Sequence, residues 1–329
     1  MKIKTPILGV GSPLLDLLIN VDDAYIDSID GDKGGMNLVS TGQMSELVAG
    51  AGEPHRAPGG SAGNTIFGLA RLNTPASFFG MIGADEDGDF YKNKFTGLGG
   101  DASRFIVNND LHTGRCLCLI TPDSERTMRT DLGASGNITA DDVTAEVFKG
   151  IGHVHLEGYS LFNRDFAVKL MVEAQNAGCT VSLDLASFEV VAANRDILPE
   201  LLEKYVDIVF ANEDEAKEFC GDHTPEEQAA ELCKYCSVAA VKLGKKGCCL
   251  LEKGGSPVRV SANVVDAVDT TGAGDLWQTG FLYGLSQGAS LENSAKYGAI
   301  AGAEVVQIIG ADISEDRWEV IRREIAATG

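Results

Sequence analysis

The sequence lacks the features that mark membrane-spanning and nucleic-acid-binding proteins. No stretch approaches the roughly 18 consecutive apolar residues of a transmembrane helix. Basic residues are scarce, since 27 lysines and arginines stand against 48 aspartates and glutamates, a formal net charge of −21. So acidic a chain repels phosphate backbones, which speaks against nucleic acid as a partner. We expect neither a membrane nor nucleic acid among its partners.

Several catalytic and metal-binding signatures are absent as well. The chain has no GxxxxGK[ST] phosphate loop, no HExxH zinc motif and no GxSxG nucleophile elbow. Of its eight cysteines, Cys233 and Cys236 have metal-like spacing, but no second pair completes four ligands. We interpret this pair as packed in a helix and the other cysteines as small hydrophobes in apolar strands of a reduced, cytoplasmic protein. His153 and His155 alternate along a strand and are expected to be packed rather than catalytic.

The sequence does contain an alternation of apolar runs and helical patterns. The runs predict strands at Ile7–Val10, Ala76–Ile82, Ile151–Leu156, Thr180–Leu183, Ile208–Ala211 and Val238–Leu243. The periodic segments predict helices at Thr65–Leu72, Asp165–Ala177, Glu213–Cys220, Pro225–Tyr235, Leu276–Ser286, Leu291–Val306 and Ser314–Ala327. Such alternation is typical of a parallel sheet covered on both faces. We therefore predict an α/β fold with a mostly parallel central sheet, and the length of the chain allows one large domain or two modest ones.

Two segments interrupt this alternation. Residues 17–58 contain short mixed segments and many turn residues, and residues 112–132 contain two extended runs around a Pro-Asp-Ser turn. Together they are consistent with a small β lobe that acts as a lid, because open α/β sheets bind ligands beyond the carboxyl ends of their strands. Surface loops with no role at the site explain the same pattern equally well.

Residues 269–274, DTTGAG, which we call the anion loop, run through Asp275 into an apolar-periodic helix. Glycines let backbone N–H groups turn towards one point, and the helix N-terminus adds partial positive charge. This makes an anion hole from neutral atoms, which suits an acidic protein that must hold a polyphosphate. The helix dipole would keep the Asp275 carboxylate ionised and able to accept a proton from an attacking hydroxyl. A threonine-capped helix start explains the same residues without a ligand.

Two other glycine-rich segments also carry candidate binding residues. GGSAGN at 59–64 precedes a helix, where glycines let a ligand approach and Asn64 can bond hydroxyls, although a Ser61 helix cap is the alternative. GVGSPLLD at 9–16 resembles a dinucleotide fingerprint, but a leucine occupies the third glycine position. Asp16, at the end of the first strand, could grip two sugar hydroxyls or be a solvated turn carboxylate.

Two polar segments lie in the second half of the chain. NEDE at 212–215 follows a predicted strand, and its carboxylates could orient water around Mg²⁺. A capped helix with an acidic first turn explains these residues equally directly. VKLGKKGCCL at 241–250 predicts a hairpin turn at Gly244 and Gly247, with a rare lysine cluster that could also meet nucleotide phosphates.

These segments occur in one order across nearly the whole chain. GSPLLD, GGSAGN, NEDE and DTTGAGD together resemble the ribokinase-like (PfkB) kinases and match both glycine-rich signatures of that family. GSPLLD, SFFGMIGADEDG and HTGRCLCLI are most similar to the adenosine kinase-like branch and its sugar-kinase relatives. The chain departs from that branch at Ser12, where asparagine is usual, and at 157–160, where an aromatic pair is usual.

The resemblance implies a single domain, 1–329, with a three-layer α/β/α fold and a small β lid formed by 17–58 and 112–132. It also implies a phosphotransferase in which a primary hydroxyl of a nucleoside or sugar attacks the γ-phosphoryl group of ATP. It implies Asp275 as base, with the amides of Gly272, Ala273 and Gly274 around the transferring group. The residues implied to hold the acceptor are Ser12, Asp16, Gly60, Ser61 and Asn64. Those implied for ATP are Asn212, Glu215, Gly244 and Gly247, with Glu215 also serving Mg²⁺ through water. Those matching a monovalent-cation (K⁺) loop are Asp269, Thr271 and Gly310.

Three other interpretations remain open. Within the same family, the chain could be a ribokinase or fructokinase that acts on a free sugar. A dinucleotide-dependent oxidoreductase is opposed by the imperfect glycine fingerprint, and a sugar-sensing binding protein by the intact Asp275 and its loop. For a kinase, the expected partner is a small sugar or nucleoside, and the expected assembly is a monomer or homodimer.

Overall fold

A computed structural model describes residues 1–123 and 125–328. Its strands are β1 (Ile7–Val10), β2 (Leu14–Asn20), β3 (Met36–Leu38), β4 (His55–Gly59), β5 (Ala76–Gly83), β6 (Phe105–Asn108), β7 (Arg115–Ile120), β8 (Arg126–Asp131), β9 (His153–Glu157), β10 (Thr180–Asp184), β11 (Ile208–Ala211), β12 (Val238–Lys242), β13 (Cys248–Glu252) and β14 (Val258–Val260). Its α-helices are α1 (Asp23–Asp27), α2 (Thr41–Ala51), α3 (Ser61–Arg71), α4 (Glu86–Gly97), α5 (Arg164–Asn176), α6 (Phe188–Ala193), α7 (Leu198–Tyr205), α8 (Glu213–Cys220), α9 (Pro225–Leu232), α10 (Ala273–Gln287), α11 (Leu291–Val305) and α12 (Glu315–Thr328).

A nine-stranded sheet, in the order β14-β13-β12-β11-β10-β9-β1-β5-β6, forms the centre of the protein. The strands from β12 to β6 pair in parallel, and β13 and β14 extend the sheet as antiparallel strands. Leu8 and Val10 of β1 pack on one face, whereas Ile7 packs on the other. Because both faces are covered, the residues of the central strands β1, β5, β9 and β11 are all buried. The predicted α/β fold with a mostly parallel sheet is confirmed.

A second, five-stranded sheet, in the order β3-β8-β7-β2-β4, is built from the two segments that interrupt the alternation. We call it the small sheet. It begins earlier than the predicted boundary at residue 17, because β2 starts at Leu14. Asp16 therefore lies within the small sheet and is buried, so its placement at the end of the first strand and its description as a solvated turn carboxylate are both wrong. Ser124, in the predicted turn between the two extended runs, lies outside the described residues.

The two histidines of β9 are fully buried, as predicted. The Ser182 hydroxyl lies between them, 2.9 Å from His153 Nε2 and 2.9 Å from His155 Nδ1. Burial lowers the pKa of His153 to about 3 and that of His155 to about 4. Both rings are thus neutral and lie in the buried core against the sheet.

The cysteines are free thiols, and most of them are buried. Cys233 and Cys236 lie in the core, as predicted, although α9 ends just before them at Leu232. Cys179 precedes β10, and Cys220 is the half-buried last residue of α8, so the expectation that these two lie in apolar strands is wrong. Within the described residues, no helix combines the length and apolar character needed to cross a membrane.

Helices α10 and α11 approach each other closely because glycine lies at their contact. A Cβ added at Gly280 would lie 2.3 Å from the carbonyl oxygen of Tyr297, and one at Gly298 would lie 2.6 Å from that of Trp277. α10 also packs on α3, where a Cβ at Gly68 would lie 2.6 Å from Thr279 Oγ1. Since α10 begins within the anion loop and α3 contains most of GGSAGN, this packing fixes these two glycine-rich segments relative to each other.

We expect Gly280→Ala to lower the free energy of unfolding by about 1–3 kcal/mol or more, because the added methyl group meets backbone that cannot rotate away. Gly97→Ala in α4 is the matched control, since a Cβ there meets nothing within 4 Å. It should change stability little or raise it by up to about 1 kcal/mol through helix propensity. Urea unfolding of both variants tests this, and equal effects would contradict the close-approach explanation.

Candidate active site

The site lies where the parallel strands of the main sheet end. Glu157 and Asp184 are the last residues of β9 and β10, and both are buried. Asn212 directly follows β11, and Lys242 is the last residue of β12. Since neighbouring parallel strands end at the same edge of a sheet, these groups lie side by side, where open α/β sheets bind their ligands.

Asp275 is the third residue of α10 and bonds directly to GGSAGN. Its Oδ1 accepts from Ser61 Oγ at 2.8 Å, and its Oδ2 accepts from Asn64 Nδ2 at 2.9 Å. Burial raises the pKa of Asp275 to about 6, although these hydrogen bonds lower it. The expectation based on the helix dipole omitted this burial, which acts in the opposite direction. The carboxylate is still mostly ionised at pH 7 and is a stronger base than an exposed aspartate.

A left-handed glycine within the anion loop, rather than a side-chain cap, begins α10. Gly272, the N-cap of α10, has a φ of 70°, and the threonine cap of the alternative explanation is not formed. The Ala273 N–H donates to Thr270 O at 3.2 Å. One of the three amides implied for the anion hole therefore already has a partner within the turn.

Lys242 places a positive charge beside the anion loop. Its Nζ donates to Asp184 Oδ1 at 3.1 Å, and a Cβ added at Gly274 would lie 3.1 Å from the same nitrogen. Burial favours the neutral amine, but the carboxylates of Asp184 and Glu215 act more strongly together and raise the pKa of Lys242. The ammonium charge is thus held in place. From the sequence, Lys242 was only one member of a lysine cluster, and Asp184 was not identified.

Asn212 and Glu215 form a reciprocal cap at the start of α8. Asn212 Oδ1 accepts from the Glu215 N–H at 2.9 Å, and Glu215 Oε2 accepts from the Asn212 N–H at 2.7 Å. This is the capped helix start that the sequence offered as the alternative explanation. Burial also raises the pKa of Glu215 to about 7, helped by nearby Asp184. Because Mg²⁺ prefers carboxylate oxygens and water, Asp184 and Glu215 beside Lys242 fit a hydrated magnesium ion.

The two glycines of the β12–β13 hairpin have different surroundings. Gly247 has a φ of 91°, and a Cβ there would lie 1.9 Å from Val260 O, so this glycine is required by packing. Gly244 has a φ of 52°, and a Cβ there would meet nothing within 4 Å, which leaves open surface at the turn. Lys246 is exposed and pairs with Glu213 at 2.9 Å, away from the Lys242 ion pair.

Glu157 links the connection between β1 and β2 to GGSAGN and was missed as a candidate site residue. Its Oε1 accepts from the Ser12 N–H at 2.8 Å, and its Oε2 accepts from the Ala62 N–H at 3.0 Å. Burial raises the pKa of Glu157 to about 7. A Cβ at Gly11 would lie 2.2 Å from the Glu157 carboxyl carbon. The close approach of this carboxylate therefore explains the glycine without a bound dinucleotide. A carboxylate at the end of a predicted parallel strand was the available signal.

Asp16 reaches the site from the small sheet. A Cβ at Gly59 would lie 2.2 Å from Asp16 Oδ1, and one at Gly60 would lie 2.2 Å from Ser12 O, so both glycines are needed for this close approach. Arg126 Nη2 lies 3.6 Å from Asp16 Oδ2. Burial raises the pKa of Asp16 to about 6, and Arg126 counteracts this effect.

Arg126 also joins the small sheet to the anion loop, and no sequence motif pointed to it. Its Nη1 donates to Thr271 Oγ1. Asp269 organises the same loop, because its Oδ1 accepts from the Thr271 N–H at 2.9 Å and its Oδ2 accepts from the Gly310 N–H at 2.8 Å. The three residues matched to a K⁺ loop are therefore neighbours, joined through Asp269.

Comparisons with known proteins agree with this geometry. The sequence model of the pfkB family of carbohydrate kinases matches residues 35–318. Adenosine kinase of Saccharomyces cerevisiae is 28% identical over 95% of this chain and 98% of its own length. The crystal structure of a probable sugar kinase from Rhizobium etli has a TM-score of 0.89 and 31% identity and covers 99% of this chain and 100% of its own. The crystal structure of adenosine kinase from Sinorhizobium meliloti has a TM-score of 0.88 and 30% identity and covers 98% of this chain and 100% of its own.

These similarities extend over nearly the whole chain and include both glycine-rich segments. They confirm the predicted resemblance to the adenosine kinase-like branch and favour a kinase over the oxidoreductase and the sugar sensor. The relatives include an adenosine kinase and a ribokinase, so they include kinases of both nucleosides and free sugars. The chain belongs to the PfkB family of carbohydrate kinases.

Proposed function

We propose that this kinase transfers the γ-phosphoryl group of ATP to a primary hydroxyl of a ribose-containing, adenosine-like nucleoside. The observation that carries the proposal is the Asp275 carboxylate, which is buried at the start of α10 and aimed by Ser61 and Asn64. Its pKa of about 6 leaves it ionised at neutral pH and basic enough to accept a hydroxyl proton.

In the proposed reaction, the acceptor oxygen forms a bond to the γ-phosphorus while the bond between that phosphorus and the bridging oxygen of ADP breaks. The hydroxyl proton moves to Asp275. The amides of Gly272 and Gly274, and that of Ala273 once its turn bond is released, stabilise the charge on the transferring group together with the Lys242 ammonium.

The nucleotide side is assigned to residues at the ends of β11 and β12. Asn212, Gly244 and Gly247 would border ATP, with Gly247 acting through the shape of the hairpin. Asp184 and Glu215 would hold Mg²⁺ through water, and the ion, when bound, neutralises charge between the phosphate groups. Lys242 would keep the cluster of carboxylates from repelling the phosphates, because its ammonium lies between Asp184 and Gly274.

The acceptor side is assigned to Ser12, Asp16 and Gly60, beside Ser61 and Asn64. A carboxylate can accept from two adjacent hydroxyls, and such charge-assisted bonds are strong. The small sheet carries Asp16 and Arg126, and Arg126 already reaches Thr271 of the anion loop. We infer that the small sheet is a lid that closes over the acceptor and excludes water, which would otherwise hydrolyse ATP.

K⁺ is proposed to bind beside the anion loop, at Asp269, Thr271 and Gly310. Asp269 is buried and bonded to N–H groups of both other residues, so its charge bears directly on the loop geometry. A monovalent cation there would compensate this charge, which also acts on nearby Asp16.

A free-sugar kinase of the ribokinase or fructokinase type is the second candidate. It is favoured by the segment 157–160, which contributes the single aromatic residue Tyr159 where adenosine kinases usually have a pair. The similarity to a probable sugar kinase from Rhizobium etli is also compatible with it. Measuring ATP consumption with adenosine, other nucleosides, ribose and fructose separates the two. Turnover of free sugars alone would reject the nucleoside proposal.

Asp275→Asn should lower kcat by about 10²–10⁴-fold, because the amide cannot accept the hydroxyl proton. Asparagine retains an oxygen that can accept from Ser61, so folding and ATP binding should persist. A coupled assay for ADP gives kcat, and calorimetric titration with ATP provides the control. A rate within about threefold of the parent protein would remove Asp275 from the mechanism.

The pH profile tests the electrostatic role of Lys242. Since the base must be ionised, kcat should fall as the pH drops through about 6, the pKa of buried Asp275. Lys242→Met removes a positive charge that lowers this pKa, so the acidic limb of the profile should move to higher pH. Its kcat at the optimum should also fall, by about 10²-fold.

Lys245→Met, which removes an exposed lysine from the same hairpin, is the matched control and should leave the profile in place. An acidic limb that does not move in Lys242→Met would contradict the electrostatic contact with Asp275.

Asp16→Ala should raise KM for the acceptor far more than KM for ATP, because Asp16 is assigned to the acceptor hydroxyls. Removing one of the paired hydroxyls from the acceptor should have a similar effect on the parent enzyme. The two losses should not add, because each deletes the same interaction. Steady-state kinetics on the four combinations test this, and fully additive losses would show that Asp16 does not hold these hydroxyls.

A further inference from the structure

The small sheet carries two cysteines beside Asp16. β2 and β7 pair in parallel with Asp16 opposite Cys116, and Cys118 follows two residues along, so all three side chains share one face. Their residues are 4%, 5% and 0% exposed. The opposite face packs on α1 and α2 through residues such as Leu15 and Leu117. The three groups therefore lie on the face that Arg126 links to the anion loop.

Their spacing suits a shared metal ion. Cys116 Sγ and Cys118 Sγ are 3.7 Å apart, and an Asp16 carboxylate oxygen and both sulfurs all lie within 4.8 Å of one another. Two thiolates bound at about 2.3 Å to one tetrahedral zinc ion are about 3.8 Å apart. A disulfide needs about 2.05 Å, which two residues on one extended strand reach only with backbone movement. The sulfur separation thus matches metal ligation better than oxidation.

We propose that Asp16, Cys116 and Cys118 form a binding site for a thiophilic divalent cation, Zn²⁺ or its analogue Cd²⁺, and that the bound ion inhibits the kinase. Thiolate sulfur is a soft ligand that selects such ions over Mg²⁺. On binding, the two S–H bonds break and their protons pass to solvent, while both sulfurs and a carboxylate oxygen ligate the ion. A water molecule would supply the fourth ligand.

The surrounding charges balance such a site. Arg126 Nη2 donates to Cys118 Sγ at 2.7 Å, and Thr130 Oγ1 donates to Cys116 Sγ at 3.4 Å. Two thiolates and the Asp16 carboxylate carry three negative charges, which a divalent ion and the Arg126 guanidinium together neutralise. A buried cluster is tolerated when its charges are compensated in this way.

Inhibition follows from the assignment of Asp16 to the acceptor and therefore rests on the proposed function. A carboxylate oxygen that ligates a metal ion no longer accepts from an acceptor hydroxyl. The ion should raise KM for the acceptor and leave kcat at saturating acceptor unchanged. Metal binding itself does not depend on this assignment.

The binding test uses Cd²⁺ without ATP, which would chelate it. Cd²⁺ should produce ultraviolet thiolate-to-metal absorption, with one ion bound per chain by equilibrium dialysis. Cys116→Ala/Cys118→Ala should abolish the absorption, and Asp16→Asn should weaken binding by about tenfold or more. Cys233→Ala/Cys236→Ala is the matched control, because that pair is also buried, and it should bind Cd²⁺ like the parent.

Unchanged absorption in Cys116→Ala/Cys118→Ala, or its loss in Cys233→Ala/Cys236→Ala, would overturn the site. Circular dichroism verifies that both variants are folded. If Cys116→Ala/Cys118→Ala does not fold, the parent protein provides a second test. Saturating acceptor should suppress its Cd²⁺ absorption, because both ligands need Asp16. Full absorption in the presence of acceptor would overturn the competition.

The kinetic test separates the metal site from the proposed function. Buffered free Zn²⁺ should raise KM for the acceptor severalfold in the parent protein and in Cys233→Ala/Cys236→Ala, each measured against its own metal-free rate. A different outcome is that Cd²⁺ binds with thiolate absorption that depends on Cys116 and Cys118 while Zn²⁺ leaves the acceptor KM unchanged. That result would overturn the inhibition and remove Asp16 from the acceptor site, but it would leave the metal site in place. Inhibition without thiolate absorption would overturn the metal site alone.

Discussion

The hydrogen bonds from Ser61 and Asn64 to Asp275 are the interaction on which the rest of the site depends. They join two segments more than 200 residues apart in the chain. The same contact continues along the helices, because Thr279 Oγ1 of α10 donates to Thr65 O of α3 at 3.0 Å. The start of α10, and with it the anion loop, is therefore fixed against α3 before any ligand is considered.

An acidic protein that binds phosphate needs local positive charge, and in this site Lys242 and Arg126 provide it among a larger number of carboxylates. Burial raises the pKa values of Asp16, Glu157, Glu215 and Asp275. Ionising these carboxylates inside the protein costs stability, because their charged forms lose hydration. Lys242 offsets part of this cost at Glu215 and Asp275, and Arg126 offsets part of it at Asp16. Keeping such groups at a site is a common exchange of stability for activity.

The small sheet has two faces with different roles. One face buries leucines against α1 and α2 and gives the sheet its own core. The other face packs Cys116 and Cys118 with apolar residues such as Leu18 and also carries the charged groups of Asp16 and Arg126. Because successive side chains of a strand point to opposite faces, the same short strands supply both this core and a wall of the site.

The sequence alone determined the fold class and the approximate course of most strands and helices, because near-continuous apolar strands and helical periodicity are local signals. It also determined which loops carry the glycine-rich segments and Asp275. Only the tertiary structure decided that Asp16 belongs to the small sheet, that Asn64 and Ser61 meet Asp275, and that Glu157, Asp184, Lys242 and Arg126 complete the site. Their proximity, and the burial that shifts their pKa values, arises from strand order and helix packing, which bring together residues with no local pattern in common.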